Sequence, residues 1–131
     1  MVSSASKPKP SARELNILSV LWRRGPSTVR EVWDELNQTH GMGYTTILKL
    51  MQIMDRKHLV LRDTSLRAHR YEAAISKEVA ERNLIQDLLD RVFRGRPLPL
   101  LLRIFEGSSV KPDELEAIRS MLDEYERRNP K

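Results

Sequence analysis

Gly43-Tyr44-Thr45-Thr46-Ile47-Leu48-Lys49-Leu50-Met51-Gln52-Ile53-Met54-Asp55-Arg56-Lys57-His58-Leu59-Val60 is the stretch that decides how this chain is read. At about 100° per residue, Ile47, Leu50, Met51 and Met54 fall within one narrow sector of a helix. Thr45, Lys49, Gln52 and Arg56 fall in the opposite sector. One face is therefore core, and the other is a row of hydrogen-bond donors and cations with few acidic neighbours. Burying four such apolar side chains contributes roughly 1.5–3 kcal/mol each, enough to fix the helix against a small domain. The outward row then stands at fixed spacing, as a helix entering a DNA major groove requires. The plainer reading is an amphipathic surface helix with a solvated face, and the flanking sequence decides between the two.

Upstream, Ser11-Ala12-Arg13-Glu14 has the capping-box spacing, a hydroxyl at N-cap and a carboxylate at N3. It predicts a helix to about Arg24, stopped by Gly25-Pro26, with Leu15, Leu18, Leu21 and Trp22 inward. Thr28-Val29-Arg30-Glu31 repeats the box and opens a second helix, with Val29, Val32, Trp33 and Leu36 inward. Gly41-Met42-Gly43 breaks the chain before the third. Three short helices with tight links make a helix-turn-helix core.

Downstream the period changes. Leu59 to Asp63 and Ala68 to Ala73 read as two strands around a polar turn, Thr64-Ser65-Leu66-Arg67. Three helices followed by a β-hairpin is the order of a winged helix. Arg62, Arg67 and Arg70 of the hairpin are placed to reach phosphates, or are simply exposed strand and turn residues. Ser76 caps a fourth helix to about Phe93, with apolar stripes that include Val79, Ala80, Leu84 and Leu88. An apolar segment follows from Leu98 to Phe105. Pro112, with Asp113 and Glu114 in the first turn, opens a last helix to about Arg128. Leu115, Ile118, Leu122 and Tyr125 form its seam.

The expected fold class is mostly α with a small β-hairpin, a winged helix-turn-helix followed by a helical dimerisation region. The expected divisions are a flexible tail over residues 1–10, a winged-helix domain over 11–75 and a helical domain over 76–128. Residues 76–128 have much apolar surface and few elements to enclose it, so two copies packing together is the simplest remedy. The alternative is that these helices fold back on their own winged helix.

Composition narrows the function classes. The chain has 131 residues and no cysteine, which excludes disulfides and thiolate-rich metal sites and is compatible with a cytoplasmic location. No apolar run approaches the roughly 20 residues that span a bilayer, so no membrane insertion is expected. Residues 1–75 carry 12 Lys and Arg against 7 Asp and Glu, a net of +5; residues 76–131 carry 11 against 11. A basic field confined to the half that holds the Gly43–Val60 stretch points to a polyanion, nucleic acid first and anionic membrane second. His40, His58 and His69 are scattered without metal-ligand spacing, and no glycine-rich phosphate loop or nucleophile motif occurs. Neither an enzyme nor a cofactor is expected.

With these elements placed, the chain resembles the penicillinase-repressor family of bacterial regulators (BlaI/MecI). The resemblance rests on Glu14-Leu15-Asn16-Ile17-Leu18 followed by Leu21-Trp22, on Thr28 to Val32, on Tyr44 to Leu48 and on His69-Arg70-Tyr71, in that order and spacing. It covers roughly residues 11–128. It implies a homodimeric winged-helix repressor on a palindromic operator, with the third helix in the major groove and half-sites roughly 34 Å apart. The DNA-binding residues expected from pattern and resemblance together are Tyr44, Thr45, Thr46, Lys49, Gln52, Arg56, Arg62, Arg67 and Arg70. Those expected at the dimer interface are Leu84, Leu88, Leu101, Ile104, Phe105, Leu115, Ile118, Leu122 and Tyr125.

In antibiotic-responsive members a membrane sensor-protease pathway ends in cleavage of the repressor. The equivalent bond here is Ile104–Phe105, with Ile104 where those members carry Asn. Ile53 stands where the family often has Arg, and His58 where it often has Gly in a left-handed position. Copper-responsive relatives use C-terminal cysteines, which this chain lacks. A winged-helix protein-interaction module with little sequence-specific DNA binding is the rival function, separable by salt dependence.

Overall fold

The computed structural model describes residues 9–130. In chain order the described elements are α1 (Ala12–Arg24), β1 (Ser27–Thr28), α2 (Val29–His40), α3 (Tyr44–Arg56), β2 (Val60–Asp63), β3 (Arg70–Ala73), α4 (Lys77–Phe93), α5 (Pro97–Gly107) and α6 (Pro112–Arg128). The chain is mostly helical with a small antiparallel sheet. It divides into two compact units, the first ending at Leu88 and the second beginning at Leu89.

Both capping boxes form. The Ser11 hydroxyl accepts from Glu14 N–H while Glu14 Oε1 accepts from Ser11 N–H, at 3.2 and 2.9 Å. Thr28 and Glu31 do the same at 3.1 and 2.9 Å. Each box satisfies two amides that a helix start leaves without a partner. α2 ends at Gly41, which takes φ 62°, a conformation that suits glycine.

The core of the first unit is where α1, α2, α3 and the sheet meet. Ile17, Leu18, Val32, Ile47, Met51, Met54 and Leu59 are all fully buried in it. α1 buries a broader face than its spacing of leucines predicts, adding Ile17 and Val20 to Leu18 and Leu21. The cause is position, since α1 packs against α2, α3 and β3. Two long-range polar contacts fasten it. Trp22 Nε1 donates to the Ile75 carbonyl at 2.9 Å, and Lys57 Nζ lies 2.7 Å from Glu14 Oε1.

The hairpin expected from the sequence is a three-stranded sheet in the order β1-β3-β2. Val60 pairs with Ala73 and Asp63 with Arg70 across the hairpin, while Ser27 and Thr28 pair with Tyr71 and Arg70 on the other side of β3. β1 is only two residues long and gives no period to read. Ser27 is nonetheless fully buried, and its hydroxyl donates to the Gly25 carbonyl at 2.9 Å.

The division between the units falls inside α4, later than the expected boundary between residues 75 and 76. Ile75 and Ala80 belong to the first unit's core, which holds the start of α4 to it. Of the tail expected over residues 1–10, residues 1–8 lie outside the described residues. Pro10 is buried and Lys9 pairs with Asp87 at 3.0 Å.

In the second unit, the apolar segment after the Arg94-Gly95 turn is a helix, α5, with Pro97 in its first turn. α6 begins at Pro112, with Asp113 and Glu114 in its first turn and Arg127 and Arg128 in its last, the arrangement that complements a helix dipole.

Candidate nucleic-acid interface

α3 carries the candidate site, and its buried face fixes its outward face. Ile47, Met51 and Met54 are fully buried and Leu50 packs partly buried against the same core. The opposite sector leaves Thr45, Lys49, Gln52 and Arg56 exposed, with Thr46 half-buried at its edge. Ile53 shares that exposed sector.

The C-terminal end of α3 is pinned twice. Leu59 N–H donates to the Met54 carbonyl at 2.9 Å and His58 N–H to the Asp55 carbonyl at 3.2 Å. This is a Schellman closure, which requires a left-handed residue after the cap. His58 supplies it at φ 63°. Lys57, the cap residue itself, then ties this end of α3 to Glu14 at the start of α1.

The nine expected DNA-binding residues do not have equal freedom. Among the described residues, Lys49, Arg56 and Arg67 form no ion pair. Arg62 lies 3.8 Å from Asp55 and Arg70 lies 3.7 Å from Glu31. Both pairs are long and half-exposed, and contribute little to stability. They hold the two arginines at the base of the wing while Arg67 stands in its exposed loop. Tyr44 is exposed at the first turn of α3, with its ring edge-on to Trp33 at 6.2 Å and 73°. Ring packing and outward exposure therefore coexist in Tyr44.

Two carboxylates shape this surface. The Ser65 amide, 2.9 Å from Asp63 Oδ1, is the main cause that holds the Asp63 carboxyl below its usual pKa. This turn sets the start of the wing loop. The Thr28 amide does the same for Glu31, against partial desolvation and with help from Arg70 and Arg24. The acids beside the site are thus ionised at neutral pH, but each is engaged by a named donor.

Arg30 lies outside the row and the wing that the sequence pattern singles out. Its guanidinium carbon lies 5.5 Å from the centre of the Trp33 ring, and it faces a groove of about 310 Å³ shared with Thr28, Tyr44, Arg67 and His69. The Arg30-x-x-Trp33 spacing on one helix face was the available signal.

Comparison with known proteins decides the family. The family model described as the penicillinase repressor matches residues 10–124. The chain belongs to the penicillinase-repressor family. It is 32% identical over 115 residues to the transcriptional regulator BlaI of Mycobacterium tuberculosis, covering 86% of this chain and 82% of that protein. It is 18% identical over 113 residues to the methicillin resistance regulatory protein MecI of Mammaliicoccus sciuri, covering 86% and 92%. Its fold is similar to the solution structure of the DNA-binding domain of the repressor BlaI, with a TM-score of 0.51 and 23% identity over 56% of this chain and 89% of that one.

The expected dimer residues of this family member are spread over both units. On α4, Leu84 is half-buried and Leu88 exposed. In the second unit Leu101, Ile104, Phe105, Leu122 and Tyr125 are exposed, the last two at 54% and 61%, and Leu115 and Ile118 are half-buried. The Ile104–Phe105 bond lies within α5. No group of His, Asp and Glu among the described residues is arranged to hold a metal. No described helix is long and apolar enough to cross a membrane.

Proposed function

We propose that this chain is a transcriptional repressor that binds an operator as a homodimer, laying α3 in the major groove and the wing against the backbone. The observation that carries the reading is the row Thr45, Lys49, Gln52 and Arg56, exposed along one side of a helix whose other side packs into the core through the fully buried Ile47, Met51 and Met54. Spaced three or four residues apart, these positions recur about once per helical turn, which matches donors and cations to successive base edges and phosphates. Lys49 and Arg56 form no ion pair with another described residue, so DNA phosphates need not displace a carboxylate from them. Arg67 adds a cation on the wing.

Support for two copies comes from the second unit. Its exposed Leu98, Leu101, Leu102, Ile104 and Phe105 on α5, with Met121, Leu122 and Tyr125 on α6, put large apolar side chains in solvent on both helices, the kind of surface that marks an interaction site. A twofold interface covers such a surface with a second copy of itself, and presents two α3 helices to two half-sites roughly 34 Å apart.

Salt titration on a duplex selected by the purified chain tests this. Log affinity should fall linearly with log salt, with a slope of about 0.9 per phosphate neutralised. Lys49→Ala should weaken binding and leave the oligomeric state unchanged. Affinity indifferent to salt would favour a protein partner docking on the face that includes Ile53. Unaltered affinity in Lys49→Ala would remove Lys49 from the site.

A further inference from the structure

We infer that Arg30, on α2, is an additional DNA-backbone contact, and that Trp33 is the residue that positions it. The inference rests on the operator reading above and extends the site beyond α3 and the wing. Among the described residues lining the groove between the start of α2, the start of α3 and the wing, none carries a carboxylate. The cationic groups there are Arg30 and Arg67, and the imidazole of His69 and the phenol of Tyr44 stand beside them. The groove therefore has the lining of a channel for an anionic strand, with positive charge supplied from both walls.

Arg30 is the unusual member of that set. Its side chain is 73% exposed, yet it is not free to wander, because its guanidinium lies against the Trp33 ring at 5.5 Å. Trp33 is itself held edge-on by Tyr44 and packs against the core. The chain of contacts runs from the core through Trp33 to Arg30. A cation–π contact with an indole favours some rotamers of the long side chain before any ligand arrives, and leaves the planar N–H fork available to phosphate oxygens. The competing carboxylate is Asp34, one turn along α2, whose Oδ1 is 3.9 Å from Arg30 Nε. Such an exposed i,i+4 pair is weak and is readily exchanged for a phosphate.

The roles of the residues separate experimentally. Binding is measured by fluorescence anisotropy on two duplexes of equal length, one selected from a random pool by the wild-type chain and one of scrambled sequence. Arg30→Ala should weaken both by a similar factor, between about threefold and about tenfold. It should also make the log–log salt slope shallower by about 0.9. Arg30→Lys should restore the slope but only part of the affinity, since an ammonium does not stack as a guanidinium does. Asp34→Asn should tighten binding by about twofold, and that gain should vanish in the Arg30→Ala background, the coupling expected of neighbours.

An unchanged salt slope in Arg30→Ala would overturn the inference. So would an Asp34→Asn gain that persists without Arg30. If selection with the wild-type chain enriched no duplex, the operator reading itself would fail, a result distinct from wild-type binding that Arg30→Ala leaves intact.

Discussion

Replacing Lys57 with methionine tests how α3 is held in place. Lys57 caps α3 and its ammonium lies 2.7 Å from Glu14 Oε1. The Glu14 side chain is 4% exposed, whereas that of Lys57 is 41% exposed. The pair is therefore buried at one end only. Leaving a fully buried charge without its partner costs about 3–5 kcal/mol, and breaking a surface pair costs about 0–1 kcal/mol. Glu14 keeps its bond from Ser11 N–H in the variant, and water can enter from the exposed side that Lys57 vacates. A loss of about 2 kcal/mol lies between those limits. Methionine preserves most of the stem, so lost packing is a minor part. Urea unfolding followed by circular dichroism, at fixed protein concentration, reads the effect. With a slope of about 1–3 kcal/mol/M, the midpoint should fall by roughly 1 M. Glu14→Gln and the double variant complete a cycle, and the coupling between the two positions should exceed about 1 kcal/mol. A Lys57→Met midpoint equal to wild type, with no coupling in the cycle, would refute the claim that this ion pair anchors α3 to α1.

Three further outcomes follow from the same geometry. His58→Gly should stabilise the chain by about 0.5–1 kcal/mol, because glycine takes the left-handed position of the Schellman closure without a Cβ penalty, less its greater freedom when unfolded; a lower melting temperature would count against the strain at φ 63°. Glu31→Gln should cost about 0.3–1 kcal/mol at pH 7, because glutamine can keep the capping-box bond to Thr28 N–H but loses the negative charge at the helix N-terminus. Because the Glu31 carboxyl is held below its ordinary value of 4.5, chiefly by the Thr28 amide, its contribution is complete above the unfolded pKa and lost as pH falls through the folded one. The gap to wild type should therefore close below about pH 4.5; a gap independent of pH would exclude a charge-dependent role. Leu122→Asp places a carboxylate on the exposed apolar face of α6 and should shift sedimentation from dimer to monomer, a test defeated by an unchanged sedimentation coefficient.

The parts of this fold legible in the sequence are those with local causes. Capping boxes at Ser11 and Thr28 act over three residues, and they form as their spacing implies. The period of Ile47, Met51 and Met54 likewise identified the buried side of α3, and hence the exposed row. Contacts that depend on distant residues were not legible. Glu14 reads as a cap, but nothing near it announces a partner 43 positions away. β1 is two residues long and exists because β3 offers an edge to pair with. Ala80, Leu84 and Leu88 share an apolar stripe on α4, yet of these only Ala80 is buried in the core, because periodicity identifies a face without naming what covers it. In the candidate site, α3 is legible from its own period. Arg30 is not, because its surroundings are Trp33 beside it and the wing across the groove, which only the fold brings together.

A twofold pair of chains that presses the exposed side of α3 into duplex DNA must read the same sequence twice, in opposite directions. Selection of bound fragments from a random duplex pool, followed by sequencing, should enrich an inverted repeat whose half-site centres lie about one helical turn, roughly 34 Å, apart. A single asymmetric motif, or no enrichment at all, would contradict that arrangement.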